Sequence, residues 1–343
     1  MPTGQVESRP DSEALGTESS IDSEGGKSCI VPCILNETPV SARSTPGPSA
    51  PAFTVRAHRE TSTVMFWRLL SLVKVEHTLF ALPLAFTGSI LAARGMPSLK
   101  VLGLVALAFA GARTAAMAFN RLADRHLDAL NPRTADREIP SGQIKAYQAW
   151  ALIVIAVGTY FLAAFALNWV CFSLSPVALA ILLAYSYSKR FTWLCHFFLG
   201  LCLGLAPVAG WLAVMGDVEW TPVVLGIGVL FWVAGFDVIY ACQDVEFDRT
   251  VKLHSVPAWL GTRIALRLAA LAHFAAICLF MLAGKLAGLN WPFYLLSLVT
   301  CGLLYWEHKL LHPDDLSRLD LAFFNVNSMV SFSLLVAVWF GLP

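Results

Sequence analysis

The first stretch that could do chemistry is Asn120-Arg-Leu-Ala-Asp124-Arg-His-Leu-Asp128, at the end of a long apolar segment. Asn120, Asp124 and Asp128 are each four residues apart, so on an α-helix each side chain is rotated by only about 40° from the previous one. All three therefore share one face. Carboxylates next to lipid are costly and are candidates for function by default. The alternative is that this row only caps a helix end in water at the headgroups.

A second acidic row follows in Asp237-Val-Ile-Tyr-Ala-Cys-Gln-Asp244-Val-Glu246-Phe-Asp248. Helical geometry returns Asp244 and Asp248 to within about 20° of Asp237, whereas Glu246 points the opposite way. Mg²⁺ in proteins is typically held by one or two carboxylates together with phosphate oxygens of a substrate. Two facing rows of carboxylates therefore favour Mg²⁺ ions that bridge to a diphosphate.

Basic residues lie close to these rows. Arg133 and Arg137 follow the first row and are four residues apart, a spacing that suits bidentate contacts with phosphate oxygens. Lys189 and Arg190 end another apolar segment. The excess of basic residues on the cytoplasmic side of membrane proteins explains these positions without a substrate, so both interpretations stay open.

Arg113 differs from these residues because it lies inside an apolar segment. It precedes Asn120 by seven residues and therefore falls on nearly the same helical face, two turns away. A buried guanidinium needs an anionic partner. Arg113 either forms a structural ion pair with an aspartate or binds a carboxylate of the substrate.

The composition indicates what kind of molecule positions these residues. The chain has 343 residues, of which 57% are hydrophobic and 14% are charged. Soluble domains carry about 25% charged residues, so this chain has too few to cover a soluble surface. A mean hydropathy of +0.65 also indicates a membrane protein with several spans. The net charge of +1 gives no reason to expect nucleic-acid binding.

Nine apolar segments are long enough to cross a lipid bilayer, which takes about 20 residues of helix. The sequence therefore predicts an all-α integral membrane protein, a bundle of nine transmembrane helices. The predicted spans are 72–93, 99–119, 148–167, 169–187, 193–215, 221–242, 264–284, 290–306 and 321–341.

Basic residues predict the orientation of this bundle. Thirteen lysines and arginines lie in or beside the connections after spans two, four, six and eight, against three in or beside the other connections. The side with more basic residues is the cytoplasmic one. The N-terminus is then cytoplasmic, the C-terminus lies on the opposite side, and the active site opens at the cytoplasmic side of the inner (cytoplasmic) membrane.

The beginning of the chain has a different composition. Residues 1–64 are rich in Ser, Thr, Pro, Gly and Glu and show no periodic apolar pattern, so we expect a disordered extension. A mis-called start is the alternative, because Met65-Phe-Trp-Arg-Leu-Leu makes a natural amphipathic entry to the first span. Residues 65–343 form the predicted membrane domain.

From Met65 onward the chain resembles the UbiA superfamily of intramembrane prenyltransferases. The resemblance rests on several linked motifs that follow one another in order. One position departs from the family pattern, which often has Asp after the first Asn, because Arg121 stands there. The motifs are Asn120-x-x-x-Asp124-x-x-x-Asp128, Asn131-Pro-Arg133-Thr…Arg137…Pro140-Ser141-Gly142, Tyr185-x-x-x-Lys189-Arg190-x-Thr192 and Tyr240-x-x-x-Asp244-x-x-x-Asp248.

Within the superfamily, the chain is most similar to the 4-hydroxybenzoate polyprenyltransferases, on residues 76–83 and 237–257. This resemblance implies Mg²⁺-dependent transfer of a polyprenyl group from polyprenyl diphosphate to a ring carbon of 4-hydroxybenzoate, in ubiquinone or menaquinone synthesis. One alternative is 1,4-dihydroxy-6-naphthoate as the aromatic acid acceptor. Others are the acceptors of sister enzymes (haem, chlorophyllide or a glycerol phosphate) and, from a different class, a membrane transporter.

The resemblance also implies a role for each candidate residue. Asp237 polarises or deprotonates the phenol, Tyr185 orients the diphosphate or shields an allylic cation, and Arg113 holds the carboxylate of the acceptor. The basic residues that neutralise the departing diphosphate are Arg133, Arg137, Lys189 and Arg190. The Mg²⁺ ligands are Asn120, Asp124, Asp128, Asp244 and Asp248.

Overall fold

The computed structural model describes residues 62–343 except positions 314 and 320, and it leaves out some side chains, those of Glu76 and His77 among them. Residues 1–61, which make up most of the predicted extension, lie outside the described residues. The described part of the chain is helical, and its only extended pairing is an isolated bridge between His312 and Asp315.

The described residues form thirteen α-helices. In chain order they are α1 (Ser62–Leu72), α2 (Val75–Ala93), α3 (Leu99–Ala123), α4 (Arg125–Leu130), α5 (Ala146–Leu167), α6 (Trp169–Ser188), α7 (Cys195–Met215), α8 (Trp220–Ala241), α9 (Val245–Thr250), α10 (Val256–Leu260), α11 (Thr262–Leu286), α12 (Trp291–Leu310) and α13 (Asn327–Gly341). A 3-10 turn, Cys242–Asp244, links α8 to α9, and a π-helical turn, Leu321–Val326, precedes α13.

Every predicted span falls on helical structure, but the helices differ in length and apolarity. Within the described residues, six are long and apolar enough to cross a membrane: Leu99–Ala123, Ala146–Leu167, Trp169–Ser188, Cys195–Met215, Trp220–Thr250 and Thr262–Leu286. The predicted spans 72–93, 290–306 and 321–341 fall on α2, α12 and α13, which are not among these six in the described part of the chain. The count of nine spans therefore stays a prediction.

Local backbone geometry explains two of the boundaries. Lys74 adopts a left-handed conformation, with φ 48°, which separates α1 from α2 inside the first predicted span. Asn168 ends α5, and its side-chain oxygen accepts a hydrogen bond from the N–H of Cys171 at 2.9 Å, which caps the start of α6. The tight hairpin expected between the third and fourth spans is present as predicted.

Small residues let the helices of the bundle approach one another. A methyl group at Gly88 in α2 would overlap the backbone carbonyl of Pro207 in α7, and one at Gly210 would overlap that of Ala85. Close contacts of this kind drive helix association in lipid, where apolar burial gives little. Large apolar side chains such as Val154 and Leu162 are 68% and 71% exposed, as lipid-facing residues are.

Candidate active site

A cavity of about 200 Å³ lies between the ends of α3 and α4 and the ends of α8 and α9. We call it the carboxylate cavity, because both acidic rows line it. Its wall contains Asn120, Asp124, Asp128, Asp237, Asp244 and Asp248. The structure thus brings together six residues whose spacing predicted two shared faces.

Each row continues across a change in helix geometry. Asp124 follows the last residue of α3, yet its carbonyl still accepts a helical hydrogen bond from the N–H of Asp128 at 2.8 Å. In the second row the 3-10 turn lies between Asp237 and Asp248, and Asp244 is its last residue. Glu246 is exposed and does not line the cavity, as its predicted orientation requires.

Asp124 is the most densely contacted carboxylate of the first row. It is 2% exposed and forms ion pairs with Lys189 Nζ at 2.7 Å and Arg190 Nη2 at 3.1 Å. Asn120 Nδ2 donates to its Oδ2 at 3.2 Å. Arg190 Nη2 also donates to the carbonyl of Ala123 at 2.8 Å, so this side chain holds the end of α3. Arg190 does not line the carboxylate cavity, whereas Lys189 does.

Asp128 has one satisfied and one unsatisfied oxygen. Arg137 Nη1 donates to Oδ1 at 2.7 Å. Oδ2 is buried and has no hydrogen-bond partner among the described residues. A buried carboxylate oxygen without a partner is costly, and it leaves a position open for a ligand.

Arg133 joins the two walls of the cavity. Its Nη2 and Nε donate to the two oxygens of Asp244 at 2.6 and 3.0 Å, and its Nη1 donates to Tyr240 Oη at 3.1 Å. Asn131 Nδ2 also donates to Asp244, at 3.1 Å. Partial burial opposes the charged guanidinium, but the hydrogen bonds and charge of Asp244 outweigh it and raise the pKa of Arg133. This residue therefore stays cationic at physiological pH.

Asp237 contacts a histidine on a neighbouring helix. His196, 2% exposed at the start of α7, lies with Nδ1 2.7 Å from Asp237 Oδ2. The backbone N–H of Val256 donates to His196 Nε2 at 3.2 Å, so in the neutral ring the proton is on Nδ1 and is donated to Asp237. In the same region Ser255 Oγ donates to Asp248 Oδ2 at 2.7 Å.

Arg113 does not line the carboxylate cavity. It lines a second cavity of about 310 Å³ between α3, α5, α6 and α7, which we call the apolar cavity because apolar side chains make up most of its wall. Arg113 Nε donates to Thr78 Oγ1 at 3.1 Å. Among the described residues no aspartate forms an ion pair with Arg113. The alternative of a structural Arg113–aspartate pair is therefore not supported by these residues. Tyr185 lines both cavities.

The profile of the UbiA prenyltransferase family matches residues 81–329. The chain belongs to the UbiA family. It is 27% identical over 277 residues to a 4-hydroxybenzoate octaprenyltransferase from Vibrio cholerae, a match that covers 80% of this chain and 97% of that relative. A relative of the same name from Enterobacter sp. is 32% identical over 216 residues, 63% of this chain and 74% of the relative. As a UbiA-family prenyltransferase the chain is an enzyme, which removes the transporter alternative.

Solved structures of UbiA homologues have the same fold. The apo structure of a UbiA homologue from Aeropyrum pernix K1 matches with a TM-score of 0.70 and 36% identity, over 77% of this chain and 97% of that one. A homologue from Archaeoglobus fulgidus bound to GPP and Mg²⁺ matches with a TM-score of 0.61. At 21% identity, over 79% of this chain and 99% of that one, this second likeness shows the fold alone.

The donor set of this UbiA-family cavity fits Mg²⁺. Five carboxylates line it against four basic side chains, so an anionic diphosphate needs further positive charge there. Asp128 Oδ2 is a buried acceptor without a partner in the described part of the chain. No three acidic, His or Cys side chains of the described residues cluster tightly enough to enclose a metal by themselves. Mg²⁺ prefers one or two carboxylates plus phosphate oxygens of a substrate, and the wall offers such carboxylates.

Sequence reasoning missed one residue of the UbiA-family site. His196 reaches Asp237 across 41 positions of the chain, and a histidine among apolar residues carries no spacing signal. Asn131 and Ser255 lie in stretches that support the family resemblance, but only the structure gives them partners, Asp244 and Asp248.

Proposed function

We propose that this UbiA-family enzyme transfers a polyprenyl group from a polyprenyl diphosphate to a ring carbon of a hydroxylated aromatic acid, with 4-hydroxybenzoate as the favoured acceptor. One observation carries the proposal. A polar cavity rich in carboxylates and basic side chains and an apolar cavity share Tyr185 in their walls, and Arg113 lines the apolar one. The first suits a diphosphate, and the second suits an isoprenoid and a carboxylated ring.

The names of the relatives support this choice of substrates. The relatives from Vibrio cholerae and Enterobacter are 4-hydroxybenzoate octaprenyltransferases, and the Archaeoglobus homologue binds GPP and Mg²⁺. Both 4-hydroxybenzoate and 1,4-dihydroxy-6-naphthoate are phenols with a carboxylate, so the same residues serve either acceptor.

The basic residues of the carboxylate cavity would bind the diphosphate. Arg133, Arg137 and Lys189 each form an ion pair with an aspartate, which holds them in the cavity before a substrate arrives. Donors that are already oriented stabilise the developing charge of a leaving group without reorganisation. Arg190 would act through Asp124 and the end of α3 rather than on the substrate itself.

Asn120, Asp124, Asp128, Asp244 and Asp248 would hold Mg²⁺, which, when bound, supplies positive charge to the diphosphate. In the reaction the bond between the allylic carbon and the diphosphate oxygen breaks, and the diphosphate leaves with the electron pair. The ring carbon next to the phenol then forms the new C–C bond and loses its proton.

Asp237 would accept a hydrogen bond or the proton from the phenol, and this increases electron density on the ring. The Nδ1–H of His196 holds Asp237 in place. The imidazole ring of His196 is in turn held by the N–H of Val256. Arg113 would bind the carboxylate of the acceptor. Tyr185 lines both cavities and would shield the allylic cation, while the apolar walls would keep water away from that cation.

Three topological statements belong to the same proposal. The bundle has nine spans, the carboxylate cavity opens to the cytoplasm, and the enzyme lies in the inner (cytoplasmic) membrane with its C-terminus outside. Residues 1–64 form an extension that the reaction does not need. The thirteen-to-three distribution of basic residues supports the orientation.

The test uses membranes that contain the full chain, supplied with Mg²⁺, a polyprenyl diphosphate and one acceptor at a time, with the product followed by mass. Prenylated 4-hydroxybenzoate is the expected product. If only 1,4-dihydroxy-6-naphthoate is prenylated, this naphthoate and not 4-hydroxybenzoate is the acceptor. No product from either acid, with the protein inserted and folded, would overturn the proposal in favour of the sister acceptors.

A further inference from the structure

Arg121 is a buried cation in the wall of the carboxylate cavity. It lies in the last turn of α3, next to Asn120, and is 7% exposed. Its Nε is buried without a hydrogen-bond partner, and no carboxylate of the described residues forms an ion pair with its guanidinium. A guanidinium has five N–H donors, and burying them unpaired is costly.

The other basic side chains that line this cavity are paired. Arg133 contacts Asp244, Arg137 contacts Asp128, and Lys189 contacts Asp124, at distances between 2.6 and 2.7 Å. Their charges are compensated within the protein. Among the lysines and arginines that line the cavity, Arg121 is the one that forms no ion pair with a described residue.

We propose that Arg121 binds the diphosphate of the prenyl donor directly, as an anchor that works without a metal ion; this inference rests on the proposed function. Arg121 stands where the family often has an acid, so it adds a positive charge to the wall of the carboxylate cavity. A guanidinium can form two parallel hydrogen bonds to phosphate oxygens.

The position of Arg121 favours the diphosphate over the carboxylate of the acceptor. Arg121 lines the carboxylate cavity, together with Arg133, Arg137 and Lys189, and not the apolar cavity. Arg113, the candidate partner of the acceptor carboxylate, lines the apolar cavity instead. Arg113 and Arg121 therefore serve two different anionic groups.

Binding of inorganic pyrophosphate by the purified full chain, measured by calorimetry with EDTA and again with Mg²⁺, tests this role. We expect the wild type to bind pyrophosphate in EDTA, and Arg121→Gln to bind it about 10- to 100-fold more weakly, the loss for a hydrogen-bonded charged group. Arg121→Lys should keep part of the affinity. The matched control is Arg125→Gln, since Arg125 is exposed, lies outside the cavity wall and, among the described residues, hydrogen-bonds only to the carbonyl of Leu122.

Thermal unfolding separates ligand binding from a structural role. Because Arg121 forms no ion pair with a described residue, Arg121→Gln should leave the melting temperature without ligand unchanged or raise it. The increase in melting temperature caused by pyrophosphate should become smaller. If Arg121 had a purely structural role, Arg121→Gln would lower the melting temperature without ligand. The increase caused by pyrophosphate would then stay the same as in the wild type.

Two results would overturn the inference in different ways. If the wild type and Arg121→Gln bind pyrophosphate equally, Arg121 is not an anchor, while the proposed function stands. If the wild type binds neither pyrophosphate nor a polyprenyl diphosphate even with Mg²⁺, the proposed function fails and the role of Arg121 fails with it.

Discussion

Two groups of buried polar side chains lie within the bundle, and their surroundings differ. The first lines the carboxylate cavity. The second, which we call the α11–α13 cluster, lies between α8, α11, α12 and α13. It consists of Trp232, His273, Glu307, His308 and Asn327, and none of them lines either cavity described above.

The α11–α13 cluster satisfies most of its own hydrogen bonds. Asn327 Nδ2 donates to Glu307 Oε1 at 2.9 Å, and its Oδ1 accepts from Trp232 Nε1 at 2.8 Å. His273 Nε2 donates to the carbonyl of Trp232 at 3.1 Å, so its Nδ1 is free to accept from His308 Nε2 at 2.9 Å. These bonds join four helices, and Glu307 Oε2 is the one buried oxygen of the cluster without a hydrogen-bond partner among the described residues.

The difference between the two groups is one of charge and access. In the carboxylate cavity, oppositely charged side chains face a space that a ligand can enter, so their partners can be exchanged for a substrate. In the α11–α13 cluster, the side chains hydrogen-bond to one another and thereby link the helices. Substitutions in the first group should therefore reduce turnover, and those in the second should reduce stability.

The largest effect on turnover is expected for Asp244→Asn. The change keeps the size of the side chain but removes the charge that holds Arg133 and that would bind Mg²⁺, so prenyl transfer should fall at least about 100-fold. Glu246→Gln is the matched control, because Glu246 is exposed on the opposite face of the same segment. Transfer would be measured in membranes at equal protein. Near-normal turnover of Asp244→Asn would contradict the assigned site.

A smaller effect is expected for His196→Phe. Without the Nδ1–H, Asp237 loses its 2.7 Å contact, and turnover should fall about tenfold or more, the lower range for a group that supports acid–base chemistry. The KM for polyprenyl diphosphate should not change, since His196 contacts none of the basic residues. His196→Gln, which can still donate, should recover part of the activity. A raised KM with unchanged turnover would show that His196 acts on binding instead.

Substitution of Arg113 should change the use of the acceptor alone. Arg113→Gln keeps a donor toward Thr78 but removes the charge, so the KM for 4-hydroxybenzoate should rise about tenfold. The KM for polyprenyl diphosphate should stay the same because Arg113 lines the apolar cavity. A phenol without the carboxylate provides the comparison, and the two enzymes should use it equally well. If the KM for the diphosphate rises instead, Arg113 belongs to the site of the prenyl donor.

The acidic rows could be predicted because helical spacing is a local property of the sequence. Asn120, Asp124 and Asp128 share a face as soon as the segment is helical, and the small change of pitch at Asp124 does not alter this. The apolar stretches that form the long helices are equally local. The hypothesis that the two rows face each other rests on their positions at the ends of two predicted spans, and spacing within one helix does not establish it.

Partners that meet through tertiary packing could not be predicted in this way. Spacing put Arg113 on nearly the same face as Asn120, but only the packing of α5, α6 and α7 places it in a different cavity. Lys189 and Arg190 carry the same charge in the same loop, yet one lines the cavity and the other holds the end of α3. The α11–α13 cluster gave no signal, because its members are single polar residues scattered along apolar helices.

The smallest effect on turnover is expected for Asn327→Leu in the α11–α13 cluster. The change leaves Trp232 Nε1 and Glu307 Oε1 without their partner, and each buried group left unsatisfied costs about 1–3 kcal/mol of stability. The melting temperature should fall, while turnover per folded molecule stays at the wild-type level. Ser333→Ala is a milder control on the same helix, because Ser333 contacts Thr300 and a helical carbonyl. A loss of turnover without a loss of stability would mean that this cluster takes part in catalysis and that the contrast between the two groups is wrong.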